Sequence, residues 1–203
     1  MAGGLNNYQY ALNSTGWVDP LGLSNVPRQC PDVLPLARIP VEQQDVFKLF
    51  EQHHVGQFKD DNALVSAFEE VRDKESPWPV GFTPKSRIIE PGERFNMALG
   101  PGQPITSSGG FGTMENINSA DFVWNKLAVK QSWKPAGVDR VVTYEVTHPF
   151  EVLEGSVGPQ IEKLSDGSYK YLTDGVSQIN LRLSRDPVEK MNYLKVVDVK
   201  EIK

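Results

Sequence analysis

The 203-residue chain has a single cysteine, Cys30, and no apolar run that approaches the length of a membrane span. One cysteine excludes an intramolecular disulfide and a cysteine-cluster metal site. A spanning helix needs roughly 20 consecutive apolar residues, and the N-terminus lacks the basic and apolar regions of a signal peptide. We therefore expect no membrane insertion, and an export route that does not depend on a signal peptide.

An excess of basic residues is also lacking. The 21 lysines and arginines are outnumbered by 26 aspartates and glutamates, so the net charge is -5. Domains that bind nucleic acid by neutralising phosphates usually have a basic excess. The composition therefore disfavours a nucleic-acid binder, without excluding one.

The standard catalytic and metal-binding motifs are missing as well. The chain contains no GxxxxGK[ST] phosphate loop, no HExxH and no GxSxG. His53 and His54 are adjacent on a predicted helix, so their side chains point to different faces and cannot share a metal ion. His148 precedes Pro149 and is either a general base or an ordinary loop histidine. We predict no metal site.

Composition divides the chain into three stretches. Residues 1–23 are rich in glycine, asparagine and aromatic residues and show no persistent period. Residues 24–40 contain four prolines, which is typical of an extended linker. Residues 41–203 carry the periodic apolar patterns of a folded domain.

The folded stretch predicts two helices followed by strands. Helical spacing places two apolar sets on helix faces: Val41, Val46, Leu49 and Phe50, then Leu64, Val65, Phe68 and Val71. Alternating β-branched runs predict strands in residues 93–99, 139–147, 150–158, 177–183 and 193–202, and a capped helix is predicted in residues 119–129. Strands and helices do not alternate regularly, so the sequence predicts an α+β fold with a mainly antiparallel sheet.

The N-terminal stretch AGGLNNYQYALNSTGWVDPLGL resembles the end of the core of Rhs-repeat proteins, the shell-forming polymorphic toxins of bacteria. The DPxGL motif that closes this core lies at residues 19–23. The family is cut just after the motif, so the resemblance implies cleavage between Leu23 and Ser24 and release of a C-terminal toxin from the Rhs shell. It also implies a secreted effector that acts in the cytoplasm of a target bacterium, and a cognate immunity protein as partner. An unrelated tail is the alternative.

The stretches ERF, GGFGT, YEVTHPFEVLEGSVGP and DGVSQINL follow one another between Glu93 and Leu183. This succession is similar to the NAD-cleaving toxins typified by the tuberculosis necrotizing toxin domain, which are related in fold to ADP-ribosyltransferases. The resemblance implies a split antiparallel sheet of that type and NAD as the substrate. It assigns catalysis to Gln178 and Arg94, and NAD binding to Arg94, Phe95, Gly110, Phe111, Thr113 and Lys126.

Three of these residues also have a physical reason for their role. The guanidinium of Arg94 can bind phosphate oxygens bidentately, although a strand-edge salt bridge explains an arginine there equally simply. Gly110 belongs to a glycine-rich loop whose backbone can approach a phosphate, because no Cβ obstructs it. Phe111 lies between two glycines, and either stacks on nicotinamide or is buried in the core.

Gln178 stands at the entry of a predicted strand, shortly after Gly175. Cleavage of the nicotinamide–ribose bond produces an oxocarbenium-like centre, and hydrogen bonds to the neighbouring hydroxyl strengthen in such a transition state. An amide carbonyl can accept that hydrogen bond, while its nitrogen still donates. Transferases of this fold commonly have a glutamate here, so the glutamine favours water as acceptor. A strand residue that pairs with solvent or backbone is the structural alternative.

The chain departs from the family pattern at several positions. Lys126 stands where the family has a second arginine, Phe111 replaces a tyrosine, and the catalytic histidine has no counterpart that can be aligned. These departures leave three hypotheses open. The first is an enzyme that cleaves NAD, either as a glycohydrolase or as an ADP-ribosyltransferase that modifies a macromolecule such as a translation component. The others are a nuclease toxin and a non-catalytic binding module.

Overall fold

The computed structural model describes residues 35–73, 76–107, 109–173 and 175–203. These belong to a compact unit that spans Leu34–Lys203. The predictions for residues 1–34, including the DPxGL motif and the cut between Leu23 and Ser24, lie outside the described residues. None of the described helices is long and apolar enough to cross a membrane.

The described chain begins with two 3-10 helices, Pro35–Arg38 and Val41–Gln43, followed by α1 (Gln44–His53) and α2 (Asp61–Asp73). Ile39, which separates the two 3-10 helices, is buried in the same apolar cluster as α1 and α2. The end of the predicted linker is therefore packed against the helices rather than extended.

The two helices differ in how well their apolar faces were predicted. All four predicted residues of α2 are buried. Of the four residues predicted for the first helix, Val46 and Phe50 are buried, whereas Val41 and Leu49 are exposed. Phe47 takes their place in the core, where its ring meets the edge of Phe68 at a centroid distance of 5.1 Å. The hydrophobic face of α1 is therefore rotated toward Phe47.

The strands are short and all of their pairings are antiparallel. In chain order they are β1 (Lys85–Ile89), β2 (Arg94–Leu99), β3 (Phe111–Gly112), β4 (Arg140–Val146), β5 (Phe150–Ser156), β6 (Gln160–Lys163), β7 (Tyr169–Leu172), β8 (Ser177–Asn180) and β9 (Leu194–Glu201). One sheet has the order β1-β5-β8-β3, a second has the order β2-β4-β9, and β6 pairs with β7.

The two larger sheets enclose the main core and are joined at one point. Asn96 of β2 and Thr113 exchange backbone hydrogen bonds of 2.7 and 3.0 Å, which brings β2 beside β3. Apolar residues from both sheets, among them Phe95, Tyr144 and Ile179, form one buried cluster. The structure therefore confirms the predicted α+β class with mostly antiparallel sheets and few, short helices.

Helix α3 (Ala120–Asn125) is shorter than the helix predicted in residues 119–129. Its start was predicted correctly, because the Ser119 hydroxyl accepts a hydrogen bond of 3.1 Å from the Phe122 N–H. It ends early because the chain turns at Ala128, whose φ is 46°. Strands β1, β3, β6 and β7 and helix α4 (Pro187–Met191) were not predicted, since each is too short to show a clear period; β3 lies in the stretch that was expected to be a glycine-rich loop.

Candidate functional site

A cavity of about 520 Å³ lies beside β2, β3 and β8, and α3 and the segment that follows it form another wall. Its walls are mostly apolar, with side chains such as Met97, Ile117 and Val123. The polar side chains among its lining are few: Asn96, Lys134, Gln160, Gln178 and Arg185. An apolar concavity of this size with a few convergent polar groups is typical of a small-molecule site.

Gln178 is the second residue of β8 and lies in the wall of this cavity, with only 6% of its surface exposed. Its Nε2 donates a hydrogen bond of 3.1 Å to the Pro77 carbonyl. Because the nitrogen is held by the backbone, the amide is oriented and Oε1 is the part left to accept a hydrogen bond. Gln178 is therefore a fixed acceptor in the cavity wall.

The group that fixes Gln178 belongs to a segment we call the strap, residues 76–82. The strap packs on Gly155 of β5 and on Gly158, two residues after that strand. A Cβ on Gly155 would collide with the Phe82 ring, and one on Gly158 would lie 2.6 Å from the Trp78 carbonyl carbon. The Gly158 N–H donates a hydrogen bond of 2.9 Å to the Pro77 carbonyl, which also accepts the hydrogen bond from Gln178 Nε2. The close approach therefore places a backbone acceptor at the cavity.

A second glutamine, Gln160 of β6, uses the same strap. It is 2% exposed, lines the cavity, and donates from Nε2 to the Ser76 carbonyl at 2.5 Å. Its Oε1 is buried and has no hydrogen-bond partner within the described residues. Two neutral carboxamides are thus held on consecutive carbonyls of the strap, and both belong to the cavity lining.

The glycine-rich stretch of residues 109–112, which consists of Gly109, Gly110 and the two residues of β3, forms another part of the lining. Two of its carbonyls are hydrogen-bonded. Gly110 O accepts a hydrogen bond of 2.9 Å from the Leu181 N–H, and Gly109 O accepts one of 3.0 Å from Lys190 Nζ. In a trans peptide the N–H points opposite to the preceding C=O, so the Gly110 N–H points away from Lys190. Phe111 is 42% exposed and meets the Trp78 ring at a centroid distance of 6.5 Å.

Lys134 and Arg185 are the cationic side chains in the cavity lining. Lys134 is half-buried and donates 3.1 Å to Gln103 Oε1, and burial lowers the pKa of its ammonium. Arg185 lies on the loop between β8 and α4 and is exposed. The pKa of Lys190 is lowered first by the burial of its ammonium and second by the charge of Arg185. The positive charge at the cavity therefore comes from two loops rather than from a strand.

The structure brings three of the seven predicted site residues together at the cavity: Gln178, Gly110 and Phe111. Arg94, Phe95, Thr113 and Lys126 are not part of this lining. Arg94 is exposed and pairs with Glu145 through contacts of 2.7 and 2.9 Å. The other three are accounted for as follows: Phe95 is fully buried in the main core, Thr113 Oγ1 donates 2.7 Å to the Ser177 carbonyl, and Lys126 is exposed at the end of α3.

Sequence reasoning missed Gln160, Lys134, Arg185 and the strap. Lys134 stands in the stretch SWKPAG, and a cation between turn residues gives no pattern that would single it out. His148 was considered as a base, but it is exposed, lies outside the cavity lining and contacts the Asn192 carbonyl at 2.9 Å. Within the described ranges, no group of three or more His, Cys, Asp or Glu side chains is placed to hold a metal ion.

No family model matches the chain, and no curated protein matches it significantly. Among solved structures, the chain is similar to Tne2 in complex with Tni2, with 26% identity and a TM-score of 0.50. The match covers 62% of this chain and 97% of that chain.

Two further structures give lower TM-scores. The first is Rhs1-CT in complex with cognate immunity protein RhsI1, at 18% identity and a TM-score of 0.39 over 58% of this chain and 80% of that chain. The second is Tse6 in complex with Tsi6, at 11% identity and a TM-score of 0.36 over 79% and 99%. At these scores neither likeness supports a statement about this chain.

Proposed function

We propose that the chain is an interbacterial toxin domain that cleaves NAD at the nicotinamide–ribose bond, with water as the acceptor. The observation that carries the proposal is the fixed acceptor Gln178 in the wall of an apolar cavity. The succession of motifs between Glu93 and Leu183 that resembles NAD-cleaving toxins ends in this same glutamine. We infer from the resemblance that the two joined sheets are the split sheet of an ADP-ribosyltransferase-type fold.

Gln178 would act on the ribose. As the bond to nicotinamide breaks, positive charge develops at the anomeric carbon, and a hydrogen bond from the adjacent hydroxyl to Gln178 Oε1 strengthens. The amide supplies no negative charge, so it does not take a proton from a protein acceptor and favours water. Its Nε2 bond to Pro77 keeps Oε1 oriented before the substrate arrives, which is the preorganisation that lowers a barrier.

Lys134 and Arg185 would hold the diphosphate of NAD. Both line the cavity, and charge-assisted hydrogen bonds to phosphate are roughly twice as strong as neutral ones. The Gly110 N–H adds a backbone donor from a loop without Cβ obstruction. Phe111, exposed on the cavity side of β3, offers an aromatic face to the nicotinamide ring.

The biological setting of the proposal follows from the N-terminal resemblance. Release from an Rhs shell after Leu23 would deliver the enzyme to the cytoplasm of a target bacterium, and the producing cell would need a cognate immunity protein. Tne2, the similar structure, was solved in complex with a partner, Tni2. That pairing supports a dedicated protein partner for this chain too.

Nicotinamide release from purified protein and NAD, measured with and without bacterial lysate, tests the proposal. We expect release without lysate, and its loss in Gln178→Ala. A matched control is Gln57→Ala, because Gln57 is exposed and its side chain donates a hydrogen bond to the His53 carbonyl, outside the cavity lining. Labelling of a macromolecule that requires lysate would identify an ADP-ribosyltransferase instead. Absence of release under both conditions would contradict NAD cleavage.

A further inference from the structure

Gln160 leaves a buried acceptor unpaired in the lining of the cavity. Among the described residues, the buried side-chain atoms without a hydrogen-bond partner are Asp139 Oδ1, Arg140 Nε and Gln160 Oε1. Gln160 is the member of this set that lines the cavity. Buried polar atoms are normally paired, and an unpaired acceptor costs free energy that a ligand donor can recover.

The position of this oxygen is set by the strap. Gln160 Nε2 donates to the Ser76 carbonyl and Gln178 Nε2 donates to the next carbonyl, that of Pro77. Consecutive Cα atoms are about 3.8 Å apart, so the two carboxamides are anchored within one residue of each other. Both glutamines also line the same cavity, so a ligand that contacts Gln178 occupies a space that Gln160 borders.

We propose that Gln160 Oε1 accepts a hydrogen bond from the carboxamide N–H of the nicotinamide ring and makes the site specific for the amide over the acid. This assignment rests on the proposed NAD cleavage. The Nε2 of Gln160 is committed to the Ser76 carbonyl, so Oε1 is the part of this amide left to accept a hydrogen bond. The carboxamide of nicotinamide brings two donors to an acceptor that has none.

The acid form of the ring cannot make this contact. A nicotinate carboxylate only accepts hydrogen bonds, so it would place a negative oxygen against the carbonyl oxygen of Gln160. In a buried site, a mismatch of this kind is strongly disfavoured. The same site should therefore bind nicotinamide as a product and reject nicotinate.

The test compares kcat/KM for NAD and for nicotinic acid adenine dinucleotide, which differ only in this group. We expect the parent protein to prefer NAD by at least about 10-fold. Gln160→Leu, which removes the acceptor, should lower kcat/KM for NAD by roughly 3- to 10-fold and bring the ratio close to one. Gln43→Leu is the control, because Gln43 is also buried but bonds Tyr169 and Arg72 away from the cavity lining.

A second measurement needs no variant. Nicotinamide should inhibit the parent reaction at concentrations at which nicotinate does not, and equal inhibition by the two would overturn the assignment. The assignment would also be overturned if folded Gln160→Leu kept the parent's ratio of kcat/KM for the two dinucleotides, or if the parent cleaved both equally. Either result would leave NAD cleavage itself supported. A parent protein that releases no nicotinamide from NAD would overturn the proposed function, and this assignment with it.

Discussion

The cavity has two polar regions that differ in charge and in anchoring. The amide wall, formed by Gln160 and Gln178, is buried, uncharged and tied to backbone carbonyls of the strap. The charged rim, formed by Lys134 and Arg185, is half-buried to exposed and lies on loops. Neutral groups held by backbone carbonyls suit contacts that strengthen during reaction, whereas cations suit binding of the diphosphate.

The largest effect is expected when the acceptor of the amide wall, Gln178, is removed. Gln178→Ala should lower kcat by roughly two to three orders of magnitude with little change in KM, the scale seen when one preorganised transition-state contact is lost. Gln178→Glu restores the residue type of transferases and should redirect ADP-ribose to protein or change the cleavage rate. Steady-state kinetics and a labelling assay measure both. Parental kinetics in both variants would show that Gln178 is not part of the site.

The next effect comes from moving the strap without touching either glutamine. A Cβ at Gly158 would lie 2.6 Å from the Trp78 carbonyl carbon, so Gly158→Ala must displace the strap backbone. Overpacking of this kind costs about 1–3 kcal/mol of unfolding free energy. We expect a lower midpoint in denaturant and a kcat reduced in the folded fraction. An unchanged kcat in protein that remains folded would mean that the strap does not orient the amide wall.

Changes in the charged rim should affect binding rather than turnover. Lys134→Met and Arg185→Gln each remove charge-assisted hydrogen bonds of about 1.5–3 kcal/mol, so each should raise KM for NAD by at least about 10-fold while kcat changes little. Lys126→Met is the control, since Lys126 is exposed outside the cavity lining. A drop in kcat at constant KM would place these cations in the chemical step instead.

Burial of Lys134 also predicts opposite pH dependences for binding and for stability. Burial lowers the pKa of Lys134 in the folded protein, so the ammonium loses its proton at a lower pH than an ordinary lysine. KM for NAD should therefore rise as pH rises through the lowered pKa. Between that pKa and the ordinary value, the unfolded chain binds more protons, so the contribution of Lys134 to stability increases with pH. KM and thermal melts against pH, compared with Lys134→Met, measure both trends.

The smallest effect is expected at Arg94. This residue was predicted as a phosphate ligand, but in the structure it pairs with Glu145 on an exposed strand surface. An exposed ion pair contributes about 0–1 kcal/mol. Arg94→Ala should therefore change KM for NAD by less than about 3-fold. An increase as large as that of Arg185→Gln would return Arg94 to the phosphate site and would require the loops to rearrange on binding.

The parts of the fold that were predictable from sequence are those with a long, regular pattern. Strands β2, β4, β5, β8 and β9 alternate over several residues, and Ser119 marks a helix start by its capping chemistry. β8 is as short as β6, but it lies within the alternating run of residues 177–183, which extends beyond the strand. Gln160 was missed because β6 has no such run around it.

The site was predictable where a residue's role follows from its own strand, and not where it follows from tertiary contacts. Gln178 stands out at a strand entry after a turn. The strap reads as an ordinary proline-rich turn, and its part in the site depends on the close approach of Gly155 and Gly158. Arg94 has the right chemistry for phosphate, but a single sequence does not reveal that Glu145 lies opposite it in the ladder.

The way the strap anchors the two glutamines determines which sequence changes within it the site can accept. Both glutamines bind main-chain carbonyls, so the side chains at positions 76 and 77 contribute nothing to those two bonds. The two bonds themselves can therefore persist when these side chains change, although the Ser76 hydroxyl also accepts a hydrogen bond from the Trp78 N–H and Pro77 lines the cavity. A one-residue insertion or deletion between the two anchor carbonyls and the Trp78–Pro79 contact would shift both amides together. The site should be more sensitive to a change in the length of the strap than to substitutions at positions 76 and 77.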